Sequence, residues 1–119
     1  MYEIYFYEDK DGNSPVLEFI EVLSKRTDKD SRINLKKIQD YIRVLREHGK
    51  AAGEPYIKHL DGEIWEIRPI RGRILFASWI DNDFILLHYF VKKTQKTPQR
   101  EIDQAKRNLK DMKQRSGLQ

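Results

Sequence analysis

Apolar and polar side chains alternate over residues 2–7, and this period of two predicts a β-strand. Turn residues at 9–13 end it, and the apolar spacing then becomes helical in two runs, Val16, Leu17, Ile20 and Leu23, followed by Leu35, Ile38, Ile42 and Leu45. Ser14 and Pro15 match an N-cap with proline at the first helical position. The second helix is expected to begin near residues 28–31 and to stop at Gly49. Because only a short polar stretch joins them, the two helices are expected to form an antiparallel hairpin.

From Tyr56 onward the period returns to two. Strands are predicted at residues 56–60, 64–68, 73–80 and 84–91, and connections this short join only antiparallel neighbours. A last helix is expected to begin with Thr97 as N-cap and Pro98 as its first residue, and to fray after Met112. The pattern therefore predicts an α+β fold in the order N-terminal strand, two-helix hairpin, antiparallel β-meander and C-terminal helix.

The size and composition narrow the class of protein. A chain of 119 residues is close to the commonest size of one domain, so residues 1–119 are expected to fold as a single unit. It has no cysteine, which excludes a disulfide framework and a thiolate metal site, and no metal or cofactor is expected. It has neither a signal-like start nor an apolar run near the roughly 20 residues that span a bilayer. The cytoplasm is the expected location, with no membrane partner.

Charge is distributed unevenly along the chain, although the net charge is only +4. Residues 1–24 hold one basic and six acidic side chains, whereas residues 92–119 hold nine basic and three acidic ones. A basic C-terminal quarter suggests a polyanion as partner. The alternative is that these lysines and arginines form ordinary solvated helix faces.

Three arginines flank one predicted turn, at Arg68, Arg71 and Arg73. Permanently charged, planar guanidinium groups at strand ends suit phosphate binding, so all three are candidate RNA contacts. The alternative is a surface turn whose arginines pair with Glu63 or Glu66.

A second candidate segment lies where the last predicted strand meets the last helix. Alternation places His88 and Phe90 on one face, and Lys92, Lys93 and Lys96 follow directly. An aromatic ring for base stacking beside cations for the backbone is what recognition of single-stranded RNA needs. The alternative for His88 is a structural role inside an apolar strand. On an earlier strand, alternation separates Lys58 from His59, so only one of them can face the arginines.

Four segments carry a family resemblance. They read Gly62-Glu-Ile-Trp65-Glu-Ile-Arg68-Pro, Arg73-Ile-Leu-Phe76, Leu86-Leu-His88-Tyr-Phe90-Val-Lys92-Lys93-Thr94-Gln95-Lys96-Thr97-Pro98 and Glu101-Ile-Asp-Gln-Ala105. Together they resemble the phage-derived, HigB-like branch of the RelE/ParE toxin superfamily. The resemblance implies the toxin of a type II toxin-antitoxin pair, an mRNA interferase that cuts translated messages on the ribosome by attack of a 2′-hydroxyl on the adjacent phosphate. It also implies a helix-turn-helix (HigA-like) antitoxin as partner, operator DNA reached only through that antitoxin, and no required metal.

The resemblance also implies roles for single residues. Arg73 would be the main stabiliser of the phosphate with Arg68 beside it, and Lys93 would bind RNA together with Lys92 and Lys96. Phe90 is the stacking candidate and Lys58 a further RNA contact, while His88 is a candidate acid or base. Some HigB enzymes carry an Asp-Tyr-His cluster that is not present here, so the general acid and base stay open. Two other functions also stay open, a ParE-like inhibitor of DNA gyrase without catalysis and a non-catalytic RNA-binding module.

Overall fold

The computed structural model describes residues 1–117. The elements follow the predicted order, and their bounds are β1 Ile4–Phe6, α1 Pro15–Ser24, α2 Lys29–His48, β2 Ile57–Asp61, β3 Ile64–Ile67, β4 Gly72–Trp79, β5 Asp83–Val91 and α3 Gln99–Arg115, with a short 3₁₀ turn at Gly49–Ala52 after α2. This architecture confirms the α+β prediction.

The ends of α1 and α2 lie where local chemistry predicts them. Ser14 caps α1 through its side chain, which accepts a hydrogen bond from the Leu17 N–H, and Pro15 is the first helical residue. Asp28 caps α2 in the same way by accepting from the Ser31 N–H. Gly49 ends α2 with a φ of 60°, a left-handed conformation that favours glycine.

All five strands form one mixed sheet in the order β1-β5-β4-β3-β2. Strands β2 to β5 are the antiparallel meander that the short turns predicted. β1 pairs in parallel with β5, so the first strand of the chain lies beside the last. The alternation of residues 2–7 predicted this strand but carried no information about its neighbour.

The two faces of the sheet pack against different helices. On the α3 face, apolar strand residues pack with α3 side chains; this cluster includes Ile64, Leu75, Ala77, Ile85, Leu87, Phe90, Ala105 and Leu109. On the opposite α1/α2 face a second cluster includes Ile57, Ile67, Ile74, Phe76, Leu86, Leu23, Ile38 and Leu45. Neighbouring residues of one strand therefore belong to different cores, as the pleat requires.

The start of α3 differs from the prediction by one residue. Pro98 is the N-cap and Gln99 the first helical residue, so assigning Thr97 as the cap was wrong. The Thr97 hydroxyl instead donates a hydrogen bond of 2.7 Å to the Glu66 carboxylate on β3. An N-cap side chain accepts from an N–H of the first helical turn, whereas the Thr97 side chain is directed to Glu66 on the neighbouring sheet and the helix begins one residue later.

The end of α3 also extends further than predicted. The helix continues past Met112 to Arg115, whose guanidinium pairs with Asp111 one turn earlier and donates to the backbone carbonyl of Glu8. These contacts fasten the last turn to the start of the chain. Within residues 1–117, no helix is long and apolar enough to cross a membrane.

A charged candidate site on the α3 face

Two rows of side chains cross the α3 face at the end of the sheet nearest the start of α3. In the first row Lys58 lies opposite Glu66 on β3, Glu66 opposite Leu75 on β4, and Leu75 opposite His88 on β5. Directly opposed side chains on one face have Cβ atoms only about 5 Å apart. Each residue of the row is therefore within reach of the next one, across four strands.

The second row lies one pleat further on. Arg73 is opposite Phe90, and Arg68 lies one step beyond the last antiparallel pair of β3 and β4, Ile67 with Ile74. Arg68 and Arg73 therefore meet on the face that carries Glu66. The structure brings together five of the predicted site residues: Lys58, Arg68, Arg73, His88 and Phe90. Of Lys58 and His59, it is Lys58 that shares the face of the arginines.

Glu66 is the centre of this arrangement. Its side chain is only about 3% exposed, and its carboxylate accepts from the Thr97 hydroxyl. Its Oε1 lies 3.3 Å from Nε of Arg68 and 3.7 Å from Nε of Arg73. We call Glu66, Arg68, Arg73 and Thr97 the arginine–glutamate cluster. The sequence left open that the arginines of this turn pair with Glu66, and two of the three, Arg68 and Arg73, do so.

Arg73 is more enclosed than a phosphate-binding arginine was expected to be. Its residue is 6% exposed, and Nη1 donates two hydrogen bonds of 2.8 Å, to the carbonyls of Pro69 and Gly72. Burial lowers the pKa of the Arg73 guanidinium, and the nearby Glu66 carboxylate opposes that shift. Arginine remains charged at any physiological pH. Arg73 therefore fixes the turn with one edge of its guanidinium and supplies a buried positive charge.

Arg68 is the more accessible arginine of the pair. Its Nη1 donates a 3.2 Å hydrogen bond to the exposed carboxylate of Glu54. Its Nε is buried and close to Glu66, but the N–H does not point at the carboxylate oxygen, so this donor has no hydrogen-bond partner within residues 1–117. A buried donor without an acceptor costs about 1–3 kcal/mol. Arg68 is therefore partly exposed at the edge of the cluster, while its Nε–H, among the described residues, is an unsatisfied donor inside it.

His88 reaches the α3 face because β5 is irregular. Phe76 pairs with Leu86 while the adjacent Leu75 pairs with His88, so Leu87 is an extra residue in β5. Such a β-bulge reverses the alternation that follows it. Without the bulge, His88 would lie on the α1/α2 face with Leu86.

On that face His88 pairs with a residue of α3. Its Nε2 lies 2.8 Å from Oε1 of Glu101, and both side chains are largely buried. An ionised carboxylate only accepts, so this contact assigns the ring proton of His88 to Nε2 and makes Nδ1 the acceptor nitrogen of the neutral ring. The imidazole also stacks on Phe90, with ring centroids 6.1 Å apart. Phe90 itself is only 9% exposed, so it supports His88 rather than forming an open platform for a base.

The predicted basic segment is a loop between β5 and α3, and we call residues 92–96 the lysine loop. The Lys92 N–H donates to the Arg71 carbonyl, which holds the start of the loop against the arginine turn. The Thr94 hydroxyl donates to the Lys96 carbonyl, which tightens its end. The side chains of Lys93 and Lys96 are exposed, as a role in binding a phosphate backbone requires.

Arg71 is the predicted contact that the structure separates from the others. Its guanidinium pairs with Asp30 at the start of α2, with 3.0 Å between Nη2 and Oδ2. It therefore belongs to the α1/α2 side of the molecule. Tyr89 also faces that side, where it stacks on Phe19 and where burial raises the pKa of its hydroxyl to about 12.

Three residues of the site were not singled out as functional by the sequence: Glu66, Thr97 and Glu101. A signal for Glu66 existed, because alternation from the apolar Ile64 places it on an inward face where a carboxylate is unusual. For Glu101 no signal existed, because its contact with His88 depends on the bulge and on the position of α3.

A separate groove of about 580 Å³ lies further along α3. It is lined by Glu63, Ile64, Lys106, Leu109, Lys110, Lys113, Gln114 and Gly117. Two of its lysines are paired, Lys106 with Asp61 and Lys113 with Glu63. The groove shares no residue with the arginine–glutamate cluster.

Fold and site together define a small α+β protein with one buried and one partly exposed arginine, a His–Glu pair and a lysine loop on one face of a mixed sheet. Residues 20–110 match the family model "Phage derived protein Gp49-like (DUF891)". The match covers most of the chain, which therefore belongs to the Gp49-like phage-derived family. A comparison with curated proteins finds no match.

Proposed function

We propose that this Gp49-like protein is the toxin of a type II toxin-antitoxin pair and cleaves translated mRNA on the ribosome. The proposal rests on the resemblance to the HigB-like branch of the RelE/ParE superfamily and on the residues of the α3 face. One observation carries most weight: Arg68 directly after β3, Arg73 on β4 and His88 on β5 meet on one face beside the lysine loop.

The reaction needs no nucleophile from the protein, because the substrate supplies its own. The ribose O2′ attacks the adjacent phosphorus, the O2′–P bond forms and the P–O5′ bond breaks. The O2′ proton is removed, O5′ is protonated, and the products are a 2′,3′-cyclic phosphate and a 5′-hydroxyl. Fixed cations favour this step, because negative charge increases on the phosphoryl oxygens as the fifth bond forms.

In the proposal, different side chains of the α3 face stabilise charge, transfer a proton and bind the RNA. The arginines supply the positive field, Arg73 from a buried position and Arg68 from the edge of the cluster. His88 performs one of the two proton transfers through Nδ1, with Nε2 held by Glu101. Lys58, Lys93 and Lys96 hold the RNA backbone from the exposed rim, and the group for the other proton transfer is not assigned.

The partner in this proposal is a helix-turn-helix antitoxin. We place its contact on β1 and the α1/α2 side, because residues 1–24 are strongly acidic and this side faces away from the cationic site. Expression of the chain alone should arrest growth, and co-expression of the neighbouring gene product, if that is a helix-turn-helix protein, should restore it. Continued arrest with that protein present would contradict this part of the proposal.

Primer extension on a translated message tests the nuclease directly. Wild type should produce cuts at positions set by the codons, and Arg73→Ala should abolish them. Because Arg73 is buried, Arg73→Lys serves as a second variant that keeps the charge and loses the planar fork. Arg43→Lys on α2, an exposed arginine paired with Asp40, is the matched control and should cut like wild type.

The possible results separate the candidate functions. Equal cutting by wild type and both Arg73 variants would remove Arg73 from the mechanism. Absence of cutting by wild type would overturn the nuclease, and inhibition of purified DNA gyrase would then identify the ParE-like alternative. RNA binding without cutting would identify a non-catalytic module.

A further inference from the structure

We propose that Glu66 is the positioning residue of this site, setting the orientation of both arginines and fastening the end of the lysine loop beside them. This inference rests on the proposed nuclease function and adds a residue that touches neither substrate nor reacting atoms. Its basis is that one buried carboxylate on β3 meets side chains from three separate segments, the turn after β3, β4 and the connection to α3.

The burial of Glu66 requires a specific reason. A carboxylate that is 3% exposed is costly unless charge and hydrogen bonds compensate it. Here the compensation comes from Arg68, Arg73 and Thr97, so the position of each is coupled to the same group. Glu63 on the same hairpin provides the contrast, because it is exposed and pairs with Lys113 across the surface.

The charge balance of the cluster fits a phosphate site. Two guanidinium groups and one buried carboxylate leave one positive charge inside the cluster, so the arginines are not left uncompensated in a poorly solvated environment. The remaining counter-charge is the exposed carboxylate of Glu54, which pairs with Arg68 and which a phosphate can replace. The Nε–H of Arg68 is buried beside Glu66 and is closed to a ligand, but the Arg68 side chain as a whole is 26% exposed. A phosphate oxygen can therefore accept from the exposed part of a guanidinium group that Glu66 holds in place.

Thr97 extends the effect of Glu66 to the lysine loop. Thr97 follows Lys96 directly and precedes the first turn of α3. Its hydroxyl donates a hydrogen bond to Oε2 of Glu66. The other end of the loop is fixed by the bond from Lys92 to the Arg71 carbonyl. Glu66 thereby keeps the lysines and the arginines at a constant separation, a requirement for one RNA strand to meet both.

The main test compares Glu66→Gln with Glu63→Gln. Both remove one carboxylate and keep the side-chain shape, but only Glu66 contacts the arginines. We expect Glu66→Gln to lower the kcat for cutting a programmed message on purified ribosomes by on the order of 100-fold, the effect of misplacing reacting groups by about 1 Å. KM should change little, because the amide oxygen of a glutamine can still accept from the Thr97 hydroxyl and hold the lysine loop in place. Glu63→Gln should match wild type in both constants.

A direct readout separates positioning from loss of fold. The side-chain Nε–H signals of Arg68 and Arg73 in nitrogen-15 NMR spectra should shift in Glu66→Gln while the backbone amides of β4 and β5 keep their positions. In an Arg73→Lys background, Glu66→Gln should cost far less activity than alone, since it acts through the guanidinium. Full additivity of the two substitutions would overturn the inference.

Thr97→Val tests the link to the loop with less risk to folding, since the residue is partly exposed. It should raise the KM for the message several-fold, whereas Thr27→Val, in the exposed connection between α1 and α2, should not. Cutting by Glu66→Gln at the wild-type rate would overturn the inference and leave the nuclease intact. A wild-type protein that does not cut at all would overturn both.

Discussion

The two faces of the sheet are built from alternate residues of the same strands, yet they differ in chemistry. At one end of β3 and β4, Glu66 and Arg73 face α3, while their chain neighbours Ile67 and Ile74 face α1 and α2. The α1/α2 face is apolar there, and the α3 face carries buried charge. Strands with one face in the apolar core and the other face in the site can keep a charged cluster rigid, because packing of the apolar face fixes the register of the strands.

The difference follows from how far each helix layer extends. α1 and α2 supply an apolar cover for β3, β4 and β5, and the buried side chains of that face are all apolar along these strands. α3 begins beside the cluster, so its first turn contributes Glu101, while Ala105 and Leu109 cover the apolar part of the face. The site lies beside the first turn of α3, where the helix begins to cover the sheet. Charged groups at this position can contact both the core and the solvent.

The largest expected effect comes from the apolar face. Phe76→Ala should destabilise the protein by about 4 kcal/mol, because a fully buried ring leaves a cavity between Trp65 and Phe84. Urea unfolding measures this loss, and Ser78→Ala, an exposed position on the same strand, should change stability by less than about 0.5 kcal/mol. Equal stability of the two variants would contradict the placement of Phe76 in the core of this face.

Replacing each of the two strand histidines in turn should show which face of the sheet carries the RNA-cutting activity. His88→Gln is expected to reduce RNA cutting by about 100-fold, the lower end of what a general acid or base contributes. His59→Gln should not reduce it, because His59 lies on the other face, beside Trp65 and bonded to the Gly62 carbonyl. Cutting rates per folded molecule decide the matter, and a similar loss in both variants would remove His88 from the proton transfer.

A smaller effect is expected at the exposed rim of the charged face. Lys93→Ala should weaken binding of a single-stranded RNA oligonucleotide about fivefold, since an exposed charge contact contributes at most about 1 kcal/mol. The slope of log affinity against log salt should fall by about 0.7, one phosphate contact. Lys37→Ala, an exposed lysine on α2, is the control, and an unchanged slope in Lys93→Ala would place the RNA elsewhere.

A last effect, expected only at high pH, concerns a residue of the α1/α2 face. Burial raises the pKa of Tyr89 from 10.0 to about 12, so the folded state holds this proton more tightly than the unfolded chain does. The stabilisation is complete below pH 10 and should be lost as the pH rises from about 10 to 12. Tyr89→Phe keeps the stacking on Phe19 and should flatten that part of the stability curve, as urea unfolding at several pH values can establish. An identical decline in both proteins would show that Tyr89 makes no contribution to it.

Much of the fold could be predicted because its signals are local. The caps at Ser14 and Asp28, the stop at Gly49 and the order of strands and helices depend on residues a few positions apart. The same holds for part of the site, since alternation alone places His88 and Phe90 together and separates Lys58 from His59. The start of α3 was misplaced by one residue because Thr97 has a distant partner, Glu66, that a local pattern does not contain.

The sequence by itself determined the types of elements, the apolar stripes and the basic character of the segment after β5, because periodicity and charge are properties of neighbouring residues. Only the tertiary structure decided that Arg73 is buried and that Arg71 leaves the site for Asp30. It also decided that a bulge turns His88 towards Glu101. The physical reason is that each of these outcomes depends on which strand or helix becomes the neighbour, and that choice is made by the packing of the whole chain.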